Sequence, residues 1–202
     1  TVGFSRRSRL DSIAEIRRMD QSIVLRVYND AAPGYLRACV YDTYDNGRWL
    51  PSPLRDEMNP AAADLEGVSR DPTRDLYQVR ATSEGPLDSM EIWQDDSIRD
   101  ATFLPLDTEF VQVRAGGMSV DEHNAVIPDR LDTSLPVTAY AASGHVPQPP
   151  PVAQLPRLLS VPQSLDHRVL ELASDLLGPL PDAAKKVAAV QEHFRNNYQY
   201  RL

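Results

Sequence analysis

Near residue 145 the hydrophobic residues of this chain change their spacing from two to about 3.6, across the segment HVPQPPPVAQLP (145–156). A period of two lines one face of a strand, and a period near 3.6 lines one face of a helix. No single regular element satisfies both, so the chain is expected to fold as a β-rich body followed by a helical one. Four prolines among residues 147–151 favour a stiff, extended spacer between them. The alternative reading of the same strip is a docking segment for an aromatic groove.

Within the first part, SIVLRVY (22–28) places Ile23, Leu25 and Val27 on one face, as a core-facing strand does. The strongest β signal is YLRACVYDTYDNGRWLP (35–51). There Leu36, Ala38 and Val40 alternate with Arg37, Cys39 and Tyr41, and Asn46-Gly47 supplies the positive backbone angles of a tight hairpin turn. Residues 51–73, rich in Pro, Asp, Ala and Arg, read as a long loop. Further strands are expected at 76–83, 89–94, 109–114, 124–127 and 136–142. In the first of these Tyr77, Val79 and Ala81 would face inward, with Gln78 and Arg80 outward. Turn residues between the runs suit an antiparallel sandwich or barrel.

Beyond the prolines, Leu165, Val169, Leu172, Ala173 and Leu176 form one helical stripe, with Ser164 placed to cap it and Gly178 to end it. Pro181 suits the first turn of a second helix and Asp182 its positive end. Its stripe is Ala183, Val187, Val190, Phe194 and Tyr198. Helices this short are marginal alone, so both stripes require burial against something larger. YQYRL (198–202) reads as the start of a new strand.

The formal net charge of −8 weighs against a polynucleotide partner, whose phosphates call for clustered Lys and Arg. The densest basic cluster, Arg6, Arg7, Arg9, Arg17 and Arg18, is interleaved with Asp11, Glu15 and Asp20 and reads as a solvated or membrane-adjacent segment. One cysteine excludes an internal disulfide, and no apolar run approaches the roughly 18 residues of a spanning helix.

Few residues offer chemistry. Cys39 is the sole thiol, and between Ala38 and Val40 it reads as a small hydrophobe rather than a nucleophile at a helix N-terminus. His123, His145, His167 and His193 are scattered, without the spacing of a metal site, and suit surface or capping roles. Asp121 with Glu122, and Asp95 with Asp96, pair carboxylates at turns, where solvation competes with acid-base or calcium roles. Tyr35, Tyr41, Tyr44 and Trp49 cluster about the hairpin, as cross-strand packing or as a peptide or glycan platform. No residue is therefore assigned to a catalytic, cofactor or metal role.

YLRACVYDTYDNGRW resembles the signature of the extracytoplasmic β-domain of bacterial membrane-anchored transglutaminase-like proteins. LDHRVLELASDL and AAKKVAAVQEHFRNNYQYRL are similar to the two helices that open the catalytic core of those proteins, and VGFSRRSRLDSIAEI resembles the segment leaving the last membrane helix. In that family the nucleophilic cysteine stands in a Gly-x-Cys context downstream of such a strand, followed by His and Asp. No Gly-x-Cys occurs here and Cys39 does not match that position, so no catalytic residue carries over.

The resemblance implies an α+β chain with a juxtamembrane-like segment (1–19), a β-rich domain (20–143), a proline-rich linker (144–160) and the incomplete opening of a transglutaminase-like core (161–202). It implies a non-catalytic part of an enzyme of thiol-dependent acyl transfer or amide hydrolysis, working without metal or organic cofactor. It also implies a location outside the cytoplasm, with the remainder of the core as partner and a protein or peptidoglycan peptide as substrate. The rival reading is a stand-alone β-sandwich that binds a peptide or glycan.

Overall fold

The computed structural model describes residues 8–9, 23–30, 34–46, 48–62, 65, 67–83, 85–142 and 152–198. The chain forms two compact units, Thr1–Ser160 and Val161–Leu202. Most of the juxtamembrane-like segment, the first half of the proline-rich stretch and residues 199–202 of the expected last strand lie outside the described residues.

The first unit is a set of antiparallel sheets, sandwich-like and without a closed barrel among the described residues. Its strands are β1 (Ser8–Arg9), β2 (Leu25–Tyr28), β3 (Leu36–Arg37), β4 (Tyr41–Asp45), β5 (Arg48–Pro51), β6 (Arg55–Met58) and β7 (Asp75–Gln78). After them come β8 (Leu87–Gln94), β9 (Leu104–Pro105), β10 (Thr108–Val113), β11 (Met118–Asp121), β12 (Val126–Pro128) and β13 (Val137–Ala142). The main sheet has five strands in the order β2-β8-β13-β10-β7, and the sheets β1-β5-β4 and β12-β11-β6 have three each. A short β3-β9 pair completes the set.

Alternation explains how the main sheet is buried on both faces. Val111 lies opposite Ala139 and Tyr77, and Val113 follows two residues on, so these side chains share the face that also carries Ile92 and Val137. Met118, Val126 and Leu131, from β11, β12 and the loop after them, join that cluster. On the opposite face Leu76, Phe110 and Tyr140 pack with Ala61, Leu65, Val68 and Leu87. All six positions of β10 are buried in consequence. A fully buried large apolar side chain contributes about 1.5–3 kcal/mol, so the two clusters dominate the stability of this unit.

The second face is covered by the segment before β7, and polar groups fix it there. The Tyr140 hydroxyl donates to the Ser69 carbonyl at 2.7 Å, and Arg74 donates to the Pro136 carbonyl and to Thr138 Oγ1 at 2.9 and 2.8 Å. Buried Gln112, its amide oriented by its surroundings, donates to the Ser69 carbonyl and accepts from the Asp71 N–H. Each of these buried polar groups would cost stability if left unmatched.

Several expectations change. Ile23 is 60% exposed rather than core-facing, while Leu25 and Val27 do pack against the core. Residues 51–73 are not wholly loop, because Arg55–Met58 pair with Met118–Asp121 as β6; its three consecutive charged residues hid that strand. Tyr77 and Val79 face inward as expected, whereas Ala81 is exposed. The run 35–45 is two strands, since Leu36–Arg37 pair with β9 and only Tyr41–Asp45 enters the hairpin with β5. Asn46 takes the expected positive φ, 47°.

Residues inside the stretch read as a linker are regular as well. Val152–Gln154 form a 3-10 turn running into α1 (Leu155–Leu158), with Pro156 at the start where a missing N–H costs no helical bond. Both belong to the first unit.

The second unit holds α2 (His167–Leu177) and α3 (Ala183–Asn197). Asp166 rather than Ser164 caps α2, its carboxylate accepting from the Arg168 N–H at 2.9 Å, because the helix begins later than the stripe implies. Asp182 caps α3 by accepting from the Lys185 N–H at 2.8 Å. Gly178 ends α2 in ordinary helical geometry, at φ −54°. Neither helix has a buried residue.

Candidate functional site

Among the described residues of the first unit, Asp42, Glu122, His123 and Arg157 form a close group of ionisable side chains. Each arrives by a local device. The β4-β5 register shifts between Tyr41 and Thr43, and Asp42 is the residue at the shift, its side chain fully buried. Such irregularities re-aim one side chain of an otherwise regular ladder. Glu122 and His123 sit on the turn between β11 and β12. Asp121 Oδ1 accepts there from the N–H groups of His123 and Ala125, at 2.9 and 2.8 Å. Asn124 completes the turn at φ 58°, a conformation that Asn tolerates. Arg157 comes from α1.

The groups converge closely. His123 Nε2 and Arg157 Nη2 each lie 2.8 Å from Asp42 Oδ2, and Arg157 Nη2 lies 2.5 Å from Glu122 Oε1. Ser52 Oγ donates to Glu122 Oε1 and accepts from the Leu54 N–H at 3.2 Å. Thr43 Oγ1 donates to Asp42 Oδ1 at 2.9 Å, and Gln154 Nε2 to the Glu122 carbonyl at 3.4 Å. The arginine contacts are close and are made by Nη2, while Nε is buried without an acceptor. Arg157 therefore acts here mainly as a charge.

The Ser52 hydroxyl first, then the Arg157 guanidinium, hold the Glu122 carboxyl below its ordinary range, against the opposing effect of burial. Arg37 anchors the same turn by donating to the Asn124 carbonyl at 3.0 Å. Burial, and next the charge of Arg80, lower its pKa, with Asp121 opposing. One atom each of Asp42, Glu122 and His123 lie within 4.8 Å of one another, a geometry able to hold a cation.

Of the residues considered from sequence alone, Glu122 and His123 meet in this cluster, and Asp121 shapes the turn beneath them. Asp95 caps the short 3-10 helix Asp96–Ile98 by accepting from the Ser97 N–H, and Asp96 pairs with Arg99 and Thr133. His145 lies outside the described residues. His167 faces Glu171 at 3.2 Å, and His193 of α3 lies edge-on to Phe194 and tilted against Tyr198. Cys39 is half-buried beside the Tyr41 hydroxyl, whose pKa is raised by burial and by the thiol. Tyr44 and Trp49 pack at 5.2 Å with their rings tilted by 59°, as cross-strand partners, with Trp49 40% exposed and Tyr35 86% exposed. Asp42, Ser52 and Arg157 escaped the sequence reading, since nothing in local spacing links positions 42, 52, 122 and 157.

Among the described residues no helix is long and apolar enough to cross a membrane. No curated protein and no solved structure matches the chain. Residues 1–151, which hold every described strand of the first unit, match the family model of the TgpA N-terminal domain. The chain belongs to that family and is the N-terminal part of a transglutaminase-like protein.

Proposed function

We propose that this chain is the non-catalytic front of a membrane-anchored enzyme and holds the thiol-dependent core of its parent outside the cytoplasm. The family match over residues 1–151 carries the reading. The helix pair supports it: Val169, Leu170, Leu172, Val187 and Phe194 are 42–57% exposed, an apolar area that further elements of a core would cover. The partner is then the remainder of that core, and the reaction is acyl transfer or amide hydrolysis on a protein or a peptidoglycan peptide.

Two measurements test this. The purified chain, assayed for amide hydrolysis and transamidation, should be inactive; activity that disappears in Cys39→Ala would overturn the non-catalytic role. Alkaline phosphatase fused after Leu202 in the membrane-anchored parent should be active, and an inactive fusion of normal abundance would refute the location.

The packed, partly exposed rings of Tyr44 and Trp49 favour one second reading, a peptide- or glycan-binding face. Saturable binding lost in folded Trp49→Ala would promote it.

A further inference from the structure

We infer that Asp42, Glu122 and His123 form a divalent transition-metal site for which Arg157 competes, so that metal binding and docking of α1 exclude one another. Two carboxylates and an imidazole are a donor set suited to Zn2+ or Mn2+ rather than to Ca2+ or Mg2+, which take oxygen ligands. Zinc holds such donors at about 2.0–2.2 Å, which separates them from each other by about 3.3–3.5 Å in a tetrahedron. The three donor atoms already lie within 4.8 Å of one another, and His123 Nε2 and Asp42 Oδ2 are 2.8 Å apart. Modest side-chain adjustments bring them into range, with a water as fourth ligand.

A second, independent observation points to a cation. Arg157 Nη2 alone occupies the space between the two carboxylates, at 2.8 and 2.5 Å, and the guanidinium meets neither as a fork. A guanidinium normally meets a carboxylate as a two-pronged fork. Here it fills the seat as a point charge, with its Nε buried and unmatched. A divalent ion in place of the guanidinium would balance both carboxylates, where the single charge of Arg157 balances one. Two of the ligand side chains have outer supports of the kind that metal sites use, Thr43 on Asp42 and Ser52 on Glu122, and Asp121 fixes the backbone of the His123 turn.

The exchange would be mechanical as well as chemical. Arg157 and Gln154 supply the polar contacts of 152–158 with Asp42 and Glu122, so a metal that expels Arg157 loosens that segment.

The decisive experiment titrates Zn2+ into the chelator-treated full chain by calorimetry, in wild type and in Arg157→Met. One equivalent should bind in both, about tenfold more tightly in the variant, since the competing ion contacts together represent about that factor. His123→Ala or Glu122→Gln in the Arg157→Met background should weaken binding at least tenfold while the far-ultraviolet dichroism is retained. Hydrogen exchange across 152–160 should quicken when the wild type is loaded. Absence of stoichiometric binding in Arg157→Met overturns the site. Equal affinity in the wild type and that variant overturns the competition, and neither result depends on a variant that removes a donor.

Discussion

Arg157→Met tests whether the docking of α1 rests on charge, because methionine keeps an apolar stem and removes only the guanidinium. Removing one partner of a fully buried pair costs about 3–5 kcal/mol, whereas exposed pairs contribute about 0–1 kcal/mol. This site lies between the limits: the Asp42 side chain is 0% exposed, Glu122 18% and Arg157 28%. His123, Thr43 and Ser52 would still contact the two carboxylates after the substitution, which lowers the expected loss to about 1–2.5 kcal/mol. In an Asp42→Asn background, with half of the negative charge gone, the same change should cost less than about 1 kcal/mol. Urea denaturation followed by tryptophan fluorescence measures the difference in the right place. Both tryptophans of the chain, Trp49 and Trp93, lie in the first unit, so the signal ignores the helix pair. A loss below about 0.5 kcal/mol in the wild-type background, or equal losses in the two backgrounds, would refute the electrostatic account of the docking.

The two faces of the main sheet should fail independently in the same assay. Phe110→Ala should cost about 3–5 kcal/mol and Val111→Ala about 1–3 kcal/mol, and a loss below about 0.5 kcal/mol at either would show that its face is not a packed core. Asn46→Ala, at φ 47°, should lower stability by about 1 kcal/mol while Asn46→Gly is near neutral; equal melting temperatures for all three proteins would exclude a left-handed turn. Acid should loosen 152–158 before the sheet. Glu122 is depressed below its unfolded pKa, so its contribution is complete above that unfolded value and is lost as pH falls through the lower folded one. Hydrogen exchange in 152–160, corrected for the intrinsic rate, that does not quicken before that of the main sheet as pH is lowered would contradict this.

Strands with clear alternation were legible in the sequence because burial on a sheet face imposes a period of two. β8, β10 and β13 are found where apolar runs place them, and the β4-β5 hairpin turns at Asn46 as the turn chemistry there implies, with Gly47 outside the described residues. β6 and β11 were not legible. Arg55-Asp56-Glu57-Met58 has one apolar member, and Met118-Ser119-Val120-Asp121 follows two glycines that read as a turn. Their pairing with each other is a tertiary fact. α1 was hidden because Pro156 marks an extended spacer in isolation but is acceptable in a first helical turn. The candidate site was half visible. Asp121, Glu122 and His123 are contiguous, whereas Asp42 reaches them through a register shift and Arg157 through docking of α1, neither of which leaves a periodic trace.

The complete burial of β10 carries a consequence for how this domain tolerates change. In a strand with one wet face, a slip of one residue exchanges core for solvent, and half of the positions remain harmless. On β10 the slip would carry Gln112 into the cluster of Val111 and Val113, and would bring a valine to the place where Gln112 binds Ser69 and Asp71. No frame other than the native one leaves both interiors satisfied. Insertions and deletions should therefore be excluded from Thr108–Val113 across the family, and length variation should collect in the connections between the strands.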